Sequence, residues 1–148
     1  MLRILFALAL ASTNCLAWSQ ATTPVGLWKT IDDESKKEKS LVRIADAGGV
    51  LVGRIEKLLD NADKPDAVCE KCTDERKNQP VIGLTIIRGV KPHDDDKELW
   101  EGGDILDPNN GKVYKLRLKP TQGGKRLEVR GYIGMPLLGR TQTWIRVE

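Results

Sequence analysis

From Gly26 onward, apolar and polar side chains alternate with a period of two, in short runs separated by glycine-rich turn signals. No other feature narrows the fold as much. A helix repeats every 3.6 residues, whereas strict alternation buries one face of a strand and leaves the other wet. The cleanest run is Lys112 to Lys119, with Tyr114, Leu116 and Leu118 on one face and Val113, Lys115, Arg117 and Lys119 on the other. Arg126 to Ile133 repeats it, Leu127, Val129, Gly131 and Ile133 lying opposite Arg126, Glu128, Arg130 and Tyr132. Between them Gln122-Gly123-Gly124 reads as a hairpin turn.

Other turns bracket further strands. Asp107-Pro108-Asn109-Asn110-Gly111 joins Leu99–Leu106 to Lys112–Lys119, and Asp46-Ala47-Gly48-Gly49 joins Leu41–Ala45 to Val50–Leu58. Gly26–Ile31 and Thr141–Val147 supply the first and last strands. Val81–Val90 has a strand's composition, yet Gly83 and Gly89 would bend it. About eight strands joined mostly by short turns make an antiparallel meander. An open sheet of that size leaves exposed edges and a bare apolar face, and rolling it up removes both. The expected fold is therefore all-β: a single antiparallel up-and-down barrel of about eight strands. Asp60 to Pro80 breaks the rhythm, being polar, twice interrupted by proline and carrying both Cys69 and Cys72. We read it as one loop pinned locally by a disulfide.

The N-terminus speaks to compartment. Arg3, the apolar stretch Ile4 to Ala11 and the ending Ser19-Gln20-Ala21 have the form of a secretory signal peptide. The apolar run is far short of the roughly 20 residues that span a bilayer. Cleavage after Ala21 leaves a mature barrel domain at 22–148, addressed to the periplasm or secreted. Asn14 before Cys15 fails the lipid-attachment pattern, so no lipid anchor is expected. In an oxidising compartment Cys69 and Cys72 are read as a disulfide. The net charge of +3 comes from interspersed residues rather than a basic stripe, which argues against a nucleic-acid partner.

Gly26-Leu27-Trp28 opening the first strand, with Arg146 on the last, resembles the signature of lipocalins and their calycin relatives. There the tryptophan closes one end of the barrel and a late arginine stacks over its ring. From Gly26 to Arg146 the chain also resembles the DUF2147 family of exported bacterial proteins, a domain of unknown function with a lipocalin-like barrel. The likeness rests on Gly26-Leu27-Trp28-Lys29, Pro80-Val81-Ile82-Gly83-Leu84, Trp100 to Pro108, Leu127 to Tyr132 and Leu138 to Trp144. The resemblance implies the fold and the compartment and leaves the mechanism open.

Candidate chemistry is sparse. Cys-x-x-Cys can act as a dithiol, but Asp66, Glu70, Asp74 and Glu75 surround the pair, and nearby carboxylates raise a thiol pKa and blunt its nucleophilicity. A zinc site would need two more ligands, and His93 is the sole histidine. His93 and Asp94-Asp95-Asp96 read as a solvated turn without the calcium-loop pattern. Glu101 and Asp104, three apart on a strand, should point to opposite faces unless Gly102-Gly103 forms a bulge. No cofactor, metal or catalytic residue is assigned. Candidate ligand contacts are Trp28, Trp100, Tyr114, Tyr132, Trp144 and Arg146, in an interior either filled by side chains or holding one small ligand. Gly131 to Arg140, with Ile133, Met135, Leu137 and Leu138 among glycines and a proline, is expected to fold over a barrel mouth or to face a partner. The expected function is non-enzymatic binding of a small apolar or amphipathic ligand or an envelope component. Thiol–disulfide exchange and an envelope protein–protein module are the alternatives.

Overall fold

A computed structural model describes residues 22–60 and 64–148. Eight strands follow one another: β1 (Gly26–Ile31), β2 (Glu38–Asp46), β3 (Leu51–Leu58), β4 (Thr85–Pro92), β5 (Trp100–Leu106), β6 (Val113–Thr121), β7 (Arg126–Tyr132) and β8 (Arg140–Arg146). Each pairs antiparallel with the next, and β8 returns to β1 through Trp28 opposite Arg146, closing the barrel. The expected all-β meander is thus the observed one. The proposed leader, Met1 to Ala21, lies outside the described residues, so its cleavage and the compartment remain expectations from sequence.

Up-and-down connectivity sorts the turns onto two ends. At one end lie the β2–β3 turn, the β4–β5 turn carrying His93, and the β6–β7 turn at Gln122–Gly124. The other end carries the β1–β2 loop, the long β3–β4 segment, the β5–β6 turn and the β7–β8 loop. Alternation then assigns faces. Trp28 and Thr30 point inward beside Val42 and Ser40, and the inward set continues around the ring through Leu51, Gly53, Ile55, Ile87, Val90, Trp100, Ile105, Tyr114, Leu116, Leu118, Leu127, Val129, Gln142 and Trp144. Gly53 is needed here: a Cβ at that position would come within 2.9 Å of the Ile87 Cβ, across the strand pair. The outer faces carry charges such as Lys29, Arg43, Glu56, Lys115, Arg117 and Glu128 rather than the apolar band of a lipid-facing barrel. No helix among the described residues is long and apolar enough to cross a membrane.

The β3–β4 segment is a strap on the outside of the wall. Ile86 and Leu106 point outward by register, yet both are buried, and their outward neighbours Arg88 and Asp104 pair with each other. Glu75 meets Arg88 at 2.6 Å and Asp74 meets it at 3.7 Å, placing the strap over this face. The Cys69–Cys72 disulfide forms as expected, with both residues buried. The Cys69 Sγ lies 3.9 Å from the Pro108 carbonyl of the β5–β6 turn. Gly111 belongs to the same contact, because a side chain there would run into the Lys71 carbonyl. The buried Arg76 donates to the Thr85 carbonyl and pairs with Asp74 at 2.6 Å.

From sequence, Glu101 and Asp104 point to opposite faces unless Gly102-Gly103 forms a bulge, and the structure shows that bulge. Gly102, at φ 84°, carries a bulge that shifts the β5–β6 register between Glu101 and Gly103. Both acids consequently face outward, Glu101 paired with Arg117 at 2.8 Å and Asp104 with Arg88 at 3.5 Å. The Arg126 run also stops short of its expected end: β7 finishes at Tyr132, and Ile133 lies in the exposed loop. Val81–Val90 resolves into a strand only from Thr85, with Gly89 at φ 72° marking the expected bend.

Candidate functional site

The two halves of the barrel interior differ. Toward the end sealed by Trp28, the inward side chains of Trp28, Val42, Ile44, Val90, Leu116, Leu118 and Leu127 expose no surface at all. No water-sized void touches any of them, inside or out, so this half is packed solid as protein cores are. Trp28 Nε1 donates to the Pro24 carbonyl at 2.7 Å. Arg146 stacks 4.2 Å from the Trp28 ring centroid, the plug that the lipocalin resemblance implied.

Toward the other end the inward side chains open. Leu58, Ile105, Tyr114, Gly131 and Gln142 are only half-buried, although register points all of them into the barrel. Thr30 and Ser40 hydrogen-bond to each other at 2.9 Å and satisfy their hydroxyls on the wall. This partly exposed mouth, called the cup below, has an apolar side at Leu58, Ile105 and the Tyr114 ring. Its polar side begins at depth with Trp144, whose Nε1 donates to Gln142 Oε1 at 3.0 Å. Gln142 Nε2 in turn reaches Asp33 Oδ1 at 3.5 Å, and Asp33 takes both Nη2 and Nε of Arg140, at 2.6 and 3.1 Å. That bidentate guanidinium holds the Asp33 carboxyl below the usual carboxylate range, so the rim pair stays ionised.

The cup is thus apolar on one side and hydrogen-bonding on the other. It offers no nucleophile beside a base. His93 lies at the sealed end, where its Nδ1 accepts from the Asp95 and Asp96 amides and its Nε2 sits 3.3 Å from Glu101. No group of three or more His, Cys, Asp or Glu arranged to hold a metal occurs among the described residues.

The structure separates the six aromatic and arginine positions singled out from sequence. Tyr114 lines the cup and Trp144 forms its floor behind Gln142. Trp28, Arg146 and Trp100 belong to the packed half, and Tyr132 faces outward beside Lys115. Sequence reasoning passed over Gln142, Arg140, Asp33, Thr30, Ser40, Leu58 and Ile105. A signal existed for two of them, since Arg140 and Gln142 share the inward parity of Trp144 and Arg146, and a polar residue on an inward parity needs a partner.

A closed eight-stranded meander, plugged by a stacked tryptophan and arginine at one end and cupped at the other, defines a lipocalin-like barrel. The chain belongs to the family described as uncharacterized protein conserved in bacteria (DUF2147), whose model matches residues 26–146. Among solved structures it is similar to protein HP1028 of Helicobacter pylori, which belongs to the lipocalin family. That likeness has a TM-score of 0.71 and 20% identity, covering 84% of this chain and 82% of that one, and is a likeness of fold. No curated protein matches the sequence.

Proposed function

We propose that this is an exported carrier that holds a small amphipathic molecule in the cup without catalysing a reaction. The apolar part lies against Leu58, Ile105 and Tyr114, and the polar part on Gln142 and the Asp33–Arg140 pair. The observation that supports this reading is the contrast within one barrel: the inward side chains around Trp28 are fully buried, while Leu58, Ile105, Tyr114 and Gln142 at the other end keep part of their surface exposed. A barrel meant only as a scaffold gains stability by filling its second half as well. The leader at Met1–Ala21 supports a periplasmic address. The buried position of both sulfurs weighs against dithiol exchange, which needs an accessible thiolate.

The test begins with the full chain expressed with its leader, fractionated, and weighed intact. A mature product starting at Thr22 in the periplasmic fraction is expected. Titration of that product with a dansylated medium-chain fatty acid should give saturable binding, weakened at least about fivefold by Gln142→Leu or Tyr114→Ala. Absence of saturable binding, together with native mass spectra free of any co-purified small molecule, overturns the carrier reading.

A further inference from the structure

We propose that the β7–β8 lip docks the mouth of the barrel onto a bilayer that carries anionic headgroups. The proposal stands on the lip itself and goes beyond the molecule held in the cup.

The lip presents its apolar side chains outward. Ile133, Met135, Leu137 and Leu138 are 63, 61, 81 and 75% exposed, and the short 3-10 turn Pro136–Leu138 buries nothing. The segment is nonetheless firmly held. Arg130 reaches back from β7, its Nε donating to the Pro136 carbonyl at 2.7 Å, its Nη2 to the Leu137 carbonyl at 3.2 Å and its Nη1 to Thr141 Oγ1 at 2.7 Å. The Leu138 and Gly139 amides close the turn onto the Met135 and Pro136 carbonyls. The backbone is thus fixed from beneath while four large apolar groups point into solvent. A contiguous patch of that kind on a monomer marks an interaction surface.

The charges around it point to the occupant. The Arg130 guanidinium is engaged by neutral oxygens, which leaves its charge uncompensated. Lys112 and Lys115, on and just before the neighbouring strand β6, likewise have no carboxylate within 4.0 Å among the described residues. On the opposite side of the lip Arg140 bridges Asp33 and Glu34 while Asp32 is held by Ser35, so that side keeps a negative excess and the cationic face of the lip is the one beside β6. An apolar tip with a collar of free cations fits the boundary of an anionic bilayer. Leucine and methionine side chains enter the first roughly 5–10 Å, and the lysine stems snorkel so that their charges stay among the phosphates. A second copy docking lip to lip would bring the same three cations face to face, and like charges oppose that contact. Since the lip stands on the rim of the cup, docking would turn the opening toward the membrane.

The experiment is vesicle co-sedimentation of the chain beginning at Thr22, which contains every strand of the barrel. Binding is expected with vesicles of phosphatidylcholine mixed with phosphatidylglycerol, falling as salt rises. Vesicles of phosphatidylcholine alone should bind less. Leu137→Ser with Leu138→Ser should lower partitioning at least about tenfold, and Lys112→Gln with Lys115→Gln should weaken it and flatten its salt dependence. All four positions are exposed, and an unchanged far-ultraviolet spectrum confirms the fold of each variant. The serine pair leaves the cup lining untouched and should keep the dansyl-lipid affinity in solution, so failure of docking is distinguishable from failure of the carrier reading. No binding to either vesicle, or binding indifferent to the serine pair, overturns the proposal. A dimer in sedimentation velocity that the serine pair dissolves, without vesicle binding, assigns the lip to a second copy and overturns it equally.

Discussion

The Arg146 guanidinium lies 4.2 Å from the centroid of the Trp28 ring, and each of its nitrogens donates to a main-chain carbonyl. Nε donates to Gly124 at 2.5 Å, Nη1 to Val25 at 2.8 Å and Nη2 to Thr23 at 2.7 Å. One side chain on the last strand therefore ties together the β6–β7 turn, the segment entering β1 and the ring that plugs the barrel. Burial pushes its pKa down, and the carbonyls and the ring face supply what hydration no longer does.

The plug should dominate stability. Trp28→Ala is expected to cost about 3–5 kcal/mol, as for other large buried aromatics. Arg146→Met should cost about 2–3 kcal/mol, because three carbonyls lose a charged donor. Urea unfolding followed by circular dichroism measures both, and a loss below about 1 kcal/mol for either would contradict the closure described here.

The Gly53–Ile87 pair should behave as one volume. Gly53→Ala is expected to cost about 1–3 kcal/mol by overpacking, since the new Cβ meets the Ile87 Cβ, Cδ1 and Cγ1 at 2.9, 3.0 and 3.2 Å. In an Ile87→Ala background part of that space is vacant. The double variant should then be more stable than the sum of the single losses by at least about 1 kcal/mol, read from a double-mutant cycle. Strict additivity would show that the two positions do not compete for space.

The disulfide should matter to the strap more than to the barrel. A ring closed by residues three apart gives about 2 kcal/mol in the chain-entropy account. Replacing Cys69 and Cys72 together by serine should lower the melting temperature while leaving the β-type spectrum intact. Native protein should react slowly with reductant because both sulfurs are shielded. Complete unfolding on reduction would mean that the strap holds the barrel closed.

Asp74 should give the strap an acid limit. Its hydrogen bonds from Arg76, first of all the side-chain one, hold the carboxyl down to about 2 from an ordinary 3.8. The folded state therefore favours the charged form, and the stabilisation is present above pH 3.8 and lost as pH falls toward 2. Pepsin cleavage within 64–84 should accelerate over that interval. In Asp74→Asn, Arg76 keeps its bond to Thr85 but lacks a counter-charge, so cleavage should already be fast at the upper end and nearly flat with pH. An unchanged acid profile in that variant would assign the limit to another group.

Much of the fold could be read from the chain because alternation is a local property. The inward parity of Tyr114, Leu116 and Leu118 follows from side-chain geometry within one strand, and the turns at Asp107–Gly111 and Gln122–Gly124 follow from residues that accept their dihedrals. Glu101 and Asp104 could be placed only conditionally, because a bulge at Gly102-Gly103 adds one residue to the count and reverses every parity beyond it. The cup was barely visible. Leu58 and Ile105 look in sequence like any core residue, and Asp33 reaches Arg140 and Gln142 from the far end of the chain.

By itself, then, the sequence determined what nearest neighbours along the chain can determine: strands, turns, their up-and-down order and a cysteine pair close enough to bridge, while the closure by Trp28 and Arg146 was implied by the lipocalin resemblance. Only the tertiary structure decided that the inward side chains are fully buried at one end and partly exposed at the other, that the strap lies on the outer wall over Ile86 and Leu106, and that the β7–β8 lip turns its leucines to solvent. The reason is that burial is set by the surfaces meeting across the closed ring. Those surfaces belong to residues as far apart as Asp33 and Gln142, and no local pattern records their meeting.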